Sequence, residues 1–449
     1  AQPFKTVSDY NNWLVRLEGY IKWLEDAETK MREGMKNGYV LPKSLISKVI
    51  PQIKAITNSD LKNNLFYSPI NKFPSDFDQE TKSKLDKIYS LKIKEKLIPA
   101  HEKLYQFLKN EYLKEGRLSS GIDDVPSGKK LYKHLIKVFT TTDMTADEIH
   151  NLGLLEVARI SDEMIKVKNE VGFKGNLKEF FNYVRENDTL MPFETAEDVL
   201  KNFNSIHDRM KPQIEKMFDL KPKTKFEVRR TETFREKSAS AEYSPGSLDG
   251  SRPGIFYTPI PDATKYNTYS DESLFLHEAI PGHHYQISLT QENDLLPMFR
   301  KTLWYSGYGE GWALYCESLG KELGLYDDPY QYFGMLGAEM HRAIRLVVDT
   351  GIHSKGWTRE EAIQYSLDNE AESEAGIISE IERYMAMPGQ ALSYKIGQLK
   401  IKELRKLSQQ KLGDNFNISE FHNKVLESGC VPLALLENKI NNWINSKLN

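Results

Sequence analysis

Two short runs hold most of the side chains in this sequence that could do chemistry. They are His277-Glu278-Ala279-Ile280-Pro281-Gly282-His283-His284 and, a short helix later, Glu310-Gly311-Trp312-Ala313. Imidazoles and carboxylates are the usual ligands of zinc, which in hydrolytic sites takes three protein ligands and keeps a fourth position for water. A carboxylate beside that water acts as general base. The common helical form is H-E-x-x-H, in which the two histidines lie one turn apart and share a face. Here the spacing differs, because the position four residues after His277 is Pro281 and the next histidines stand at i+6 and i+7. On an ideal helix i+6 is turned about 120° away, and i+7 lies about 10.5 Å further along.

Pro281 offers a way out. It has no N–H to give to the His277 carbonyl, and Gly282 tolerates backbone angles that other residues avoid. A bulge at Pro281-Gly282 would bring His283 to where i+4 normally sits, as π-bulges do at functional sites. The expected ligands are therefore His277, His283 and Glu310, holding one zinc ion, with Glu278 as the catalytic base. His284 stands as the alternate to His283 and Glu317 as the alternate to Glu310. Glu317 lies two turns beyond Glu310 on nearly the same face, which also suits it to accept a hydrogen bond from a ligand histidine. A helix with surface carboxylates and capping histidines is the bland alternative. The combination of His-Glu, a doubled His after Pro-Gly, and Glu-Gly-Trp-Ala outweighs it.

The same residues carry a family resemblance. The chain resembles the bacterial family called domain of unknown function 885, whose pattern includes HExxPGHH, EGWALY and PGQALSYKxG, the last at Pro388–Gly397 here. Residues 140–164 and 345–358 resemble that family as well. More distantly the chain is similar to the gluzincin metallopeptidases, whose third zinc ligand is often the Glu of a segment like NEGFA. Glu310-Gly311-Trp312-Ala313 matches that segment, with Gly309 in place of the Asn. The resemblance implies a bacterial cell-envelope location, in the periplasm or at the envelope as a processed chain. The opening Ala-Gln-Pro is compatible with that, and a cytoplasmic location stays open.

A tetrahedral oxyanion needs a donor besides the metal. Tyr384 and Tyr394, both within family motifs, are the catalytic candidates. His353, Arg252, Arg383 and Lys395 are candidates for holding substrate, the three cations because an exopeptidase must hold a carboxylate. Most tyrosines simply pack with a satisfied hydroxyl, and most cations form structural or solvated ion pairs.

The elements that must position these groups are mostly helical. Residues 8 to about 218 read as successive helices with apolar residues at three and four spacing. From about 222 to 268, KFEVRRTETF and PGIFYTPI alternate in the manner of strands around the loop SPGSLDGSRPG. The remainder returns to helices, the first of them capped by Ser270. The expected fold is mainly α, a large multi-helix body enclosing a cleft, with one small antiparallel or mixed β-sheet beside the zinc helix. The regions are 1–221, a helical scaffold, and 222–449, the sheet and catalytic helices, in one continuous globular body. In gluzincins a strand at that place pairs with the substrate backbone, which gives affinity without strong side-chain selectivity. An ordinary short hairpin packing on helices is the other reading.

Composition narrows the function classes. With 61 basic and 64 acidic residues in 449, the net charge of −3 leaves no nucleic-acid footprint. No apolar run is long enough to span a bilayer. The two cysteines, Cys316 and Cys430, say nothing about redox compartment, and Cys316 reads as a packing residue. The leading expectation is thus a zinc-dependent metallopeptidase acting on short peptides. A metal-dependent amidase or esterase acting on a small acyl or amide substrate is the second, and a binding or scaffold protein with a degenerate metal site the third. Oligomeric state is not encoded in any feature of the sequence.

Overall fold

A computed structural model describes residues 2–233, 235–236 and 239–448. By backbone contacts the chain divides into two compact units, residues 1–128 and 129–449. The change in sequence pattern near residue 222 therefore falls inside the second unit.

The first unit is a set of helices around two apolar clusters. Its longest helix, Val7–Asn37, starts at a capping box in which Thr6 and Asp9 satisfy each other's backbone N–H groups, and it ends at Gly38 with φ 78°. Tyr10 and Leu17 from this helix pack with Leu85, Tyr89, Ile93 and Leu97. The long helical run after residue 79 is interrupted by a π turn at Ile93–Leu97, just before Pro99 in the helix Ile98–Phe107. Pro99 has no N–H to give to the carbonyl four residues back, so the ladder loosens at that place.

The second unit carries the candidate chemistry. The helix Ala146–Glu170 lies along Pro329–Ser354, and Gly153 lets the two approach at Leu346 and Val347. The helix Ser306–Glu317 lies along Ser393–Leu412 in the same way, with Gly311 of one against Gly397 of the other. A Cβ on Gly311 would stand 2.5 Å from the Gly397 backbone, so both positions require glycine.

The sheet has three strands, β1 (Phe226–Arg230), β2 (Glu242–Ser244) and β3 (Gly254–Thr258), in the order β1-β3-β2. β1 runs parallel to β3, from Phe226 opposite Gly254 to Arg230 opposite Thr258, and β2 runs antiparallel with Tyr243 opposite Phe256. The expected strand segments are thus present, and the sheet is mixed rather than a hairpin. Phe234, at the end of the first alternating segment, lies outside the described residues. Buried β3 is central, which agrees with its near-continuous apolar run. The fold is mainly α with this one small sheet.

Candidate metal centre

The expected bulge is absent, and the helix breaks instead. Asp271–Glu278 ends at Glu278, the chain turns through Ala279–Gly282 with a cis Ile280–Pro281 peptide, and a new helix, His283–Glu292, begins at His283. Gly282 packs so tightly on the preceding helix end that a Cβ there would overlap the carbonyl oxygens of His277 and Leu276. This close turn brings the start of the second helix back onto the end of the first. It solves the i+6 problem by changing the axis rather than by widening a turn of one helix. Ser270 occupies the N-cap position without making a side-chain cap. The first turn is held through Asp271, which accepts from Asn202 and Tyr266, and through Glu272, which accepts from Arg209 and the Tyr326 backbone.

His277, His283 and Glu310 converge, with their ligand atoms all within 4.8 Å of one another. Nε2 of His277 lies 3.7 Å from Glu310 Oε2, and Nε2 of His283 lies 3.5 Å from the same oxygen. Ligands about 2.0–2.2 Å from a tetrahedral zinc stand about 3.4 Å from each other, so two of the three ligand separations already fit. Behind the cluster, His277 Nδ1 lies 2.7 Å from Glu317 Oε1. Both groups are buried, at 4% and 3% exposure. A carboxylate there fixes the ring and leaves Nε2 as the free donor atom. Glu317 therefore stands behind His277 and outside the converging group.

His284 points elsewhere. Its Nδ1 is 2.9 Å from the Tyr243 hydroxyl, its ring rests on Phe226, and burial pushes its pKa down to about 4. Sheet and zinc-site candidate are thereby linked, with His283 on the Glu310 side and His284 on the sheet side. The Glu310 helix is pinned to the broken turn by Trp312, whose Nε1 donates to the Pro281 carbonyl at 2.8 Å.

The local charges suit a cation. Three carboxylates, Glu278, Glu310 and Glu317, surround two imidazoles, and His283 Nδ1 and Glu317 Oε2 are buried without a hydrogen-bond partner. Burial disfavours a charged His277, yet the carboxylates of Glu310, Glu317 and Glu278 hold its pKa up at about 9. Burial likewise disfavours a charged Glu310, yet the two histidines keep it well below the usual carboxylate range. Burial raises the pKa of Glu278, against the opposing charges of His277 and His283.

Glu278 and the three converging residues line a cavity of about 1190 Å³, as do Trp304, Tyr394, and residues 239–243 on and before β2. Of the oxyanion candidates, Tyr394 is on this wall and feels the charge of Glu310. Tyr384 is not on the wall. Its hydroxyl accepts from Arg345 Nε at 2.9 Å and donates to Glu380 at 2.7 Å.

The substrate-holding candidates separate further. Arg383 lines the cavity and is committed to Glu380 and Gln390. Lys395 is fully buried away from it, with its ammonium 2.7 Å from Glu339, 2.8 Å from Glu156 and 2.8 Å from Gln398. Gln398 in turn donates to the Leu314 carbonyl, so Lys395 braces the Glu310 helix and stands off the cavity wall. His353 is buried with Nε2 3.0 Å from the Tyr384 carbonyl, and Arg252 is exposed in a turn outside the cavity wall. Cys316 is a buried free thiol packed in the Glu310 helix.

Sequence reasoning missed His341, Arg342, Arg345 and Glu380, all on the cavity wall. The signal was there: His341, Arg342 and Arg345 fall within five residues of the largely apolar helix Pro329–Ser354, where basic side chains are expensive to bury without a partner.

The chain is similar over 99% of its length, with 33% identity and a TM-score of 0.94, to the crystal structure of a protein from Colwellia psychrerythraea named "putative lipoprotein", of which it covers 78%. A Shewanella oneidensis structure named "putative lipoprotein of unknown function" matches 97% of this chain and 81% of its own, with 20% identity and a TM-score of 0.72. At that identity the likeness speaks for the fold alone. Comparison with curated proteins gives no match. The family model for bacterial proteins of unknown function, DUF885, matches residues 1–440, and the chain belongs to that family.

Proposed function

We propose that this protein is a zinc-dependent hydrolase, a metallopeptidase that cleaves short peptides with Glu278 as general base. The observation that carries the reading is the convergence of His277, His283 and Glu310 beside Glu278 on one cavity wall. A zinc ion held by those three residues would supply Lewis-acid activation of water and of the substrate carbonyl. Glu278 takes the proton of the attacking water and later gives it to the leaving amine. Glu317 keeps His277 in the tautomer that presents Nε2, and Tyr394 is the hydroxyl on the same wall that can donate to the developing oxyanion.

β2 supports a peptide substrate. It is an edge strand of the sheet, and Glu242 and Tyr243 lie on the cavity wall, where an extended chain could add to the edge. The distant resemblance to gluzincins points the same way. The naming of the Colwellia protein as a lipoprotein supports an envelope location for this chain, and no helix among the described residues is long and apolar enough to cross a membrane.

Metal analysis with a peptide-hydrolysis screen tests the reading. We expect one zinc per chain, retained in Glu278→Gln, with turnover in that variant down by at least about 100-fold. Loss of zinc in His283→Ala but not in His284→Ala should accompany it. A chain that takes up no zinc, or a Glu278→Gln variant with full turnover, would overturn it. Hydrolysis of amides or esters but of no peptide would move the assignment to a metal-dependent amidase or esterase.

A further inference from the structure

The cavity wall holds three arginines, and their surroundings differ. Arg345 donates to Tyr384 and Glu380, and Arg383 donates to Glu380 and Gln390. Arg342 is half-buried, and its one hydrogen bond is from Nη1 to the Ala338 carbonyl, 3.2 Å away on its own helix. Its Nε is buried without a partner, and no carboxylate among the described residues pairs with it. It also stands three residues from Arg345 on the same helix, a like-charge spacing that is unfavourable unless something answers it. Glu380 answers Arg345 with an ion pair, and among the described residues no carboxylate forms one with Arg342.

A guanidinium left this way inside a cavity is a costly feature for stability alone. Its planar fork matches a carboxylate, which it binds through two parallel hydrogen bonds. Arg342 and Glu278 line the same cavity, and the charge of Arg342 favours the ionised form of that carboxylate.

We propose that Arg342 is the receptor for a carboxylate on the substrate, so that the cavity selects peptides with an anionic group beside the bond that is cut. The inference rests on the peptidase reading and names its substrate class. Two sources share this chemistry, the terminal carboxylate of a peptide and an acidic side chain.

A mixed peptide library made in two forms, C-terminal acid and C-terminal amide, distinguishes them when cleavage by the zinc-loaded protein is read by mass spectrometry. Cleavage confined to the acid form supports a terminal carboxylate. Cleavage of both forms beside Asp or Glu supports a side chain. Cleavage of both forms without regard to charge overturns the proposal. In Arg342→Met the preference for the anionic substrate in kcat/KM should fall by about 100-fold, the scale of a charge-assisted pair, with Arg342→Lys in between.

The melting temperature of Arg342→Met should stay level or rise, since no carboxylate among the described residues pairs with the cation. A fall would mark a structural role and count against the proposal. Should no peptide be hydrolysed, titration calorimetry of Glu278→Gln with N-acetyl-dialanine and its amide still decides the matter. Tighter binding of the acid, lost in Glu278→Gln with Arg342→Met, supports the carboxylate receptor. Equal binding, or none of either, refutes it.

Discussion

Replacing Glu317 should weaken zinc binding while leaving the metal-free fold intact, and the two effects have separate causes. Glu317 Oε1 is 2.7 Å from His277 Nδ1, a charge-assisted contact between two buried groups. In Glu317→Ala that nitrogen loses its acceptor, and the ring is free to turn or to change tautomer. Loss of such a supporting partner costs about 10- to 100-fold in metal affinity, or roughly 1.4 to 2.7 kcal/mol. Glu317→Gln should fall short of that, near 10-fold, because its amide oxygen can still accept from Nδ1–H without the charge that makes the bond roughly twice as strong. Stability should not follow affinity. Glu317 Oε2 is buried without a partner, so removing the charge relieves a desolvation cost that offsets the lost hydrogen bond. The assay is competition for zinc against a chromophoric chelator, run beside melting curves of the metal-free proteins. A folded Glu317→Ala protein that binds zinc as tightly as wild type would refute the supporting role. A Gln variant weaker than the Ala variant would refute the account of the hydrogen bond.

Two other perturbations test how the site is held. Gly311→Ala places a Cβ 2.5 Å from the Gly397 backbone and should destabilise by about 1–3 kcal/mol while lowering zinc affinity through movement of Glu310. Gly337→Ala on the helix Pro329–Ser354 meets only Met164 Cε at 3.9 Å, and should be neutral or stabilising by up to about 1 kcal/mol in the same melts. Asp349 is fully buried, and although Tyr132 and the Gly389 N–H donate to it, burial pushes its pKa up to about 7. A carboxyl whose folded pKa lies above its unfolded value of about 3.9 stabilises most below that value, and the contribution is lost as pH rises through 7. Stability relative to Asp349→Asn should therefore decline by a few kcal/mol between pH 4 and 8, read by urea unfolding. A flat difference would refute the assignment.

How much of this was legible in the sequence differs from residue to residue. His277, Glu278 and Glu310 could be read from residue type and spacing, because few other roles place those groups so close together. His283 rather than His284 converges with His277 and Glu310, through a break between two helices and not through the expected bulge. A helix that winds on and a helix that stops put nearly the same atoms in place, and only contacts made by the backbone distinguish them. Gly282 makes such contacts with two carbonyls of the preceding helix, which no local pattern announces. The parallel pairing of β1 with β3 was hidden for a related reason. Alternation marks a strand and is silent about its partner, and a segment of more than twenty residues separates the two. Lys395 and Arg342 show the same limit for charge. Lys395 sits in a family motif, yet its acceptors lie 56 and 239 residues away in sequence, on Glu339 and Glu156. Arg342 lies in a helical stretch with no motif to mark it, and what singles it out is an ion pair that Arg345 makes and it lacks among the described residues.

These contacts share a logic. The ligand candidates come from three helices, and at each junction the register is fixed by backbone meeting backbone or by a buried side chain meeting a carbonyl. Gly282 sits on the His277 carbonyl, Trp312 Nε1 bonds the Pro281 carbonyl, and Gly311 abuts Gly397. Such contacts have little slack, since a carbonyl cannot rotate away as a surface side chain can. A site that must hold donor atoms to within about 0.5 Å is better built this way than on loops. The glycines are then as much a part of the chemistry as the histidines. They add no donor atom, but a methyl group at any of the three would shift a ligand further than that tolerance allows.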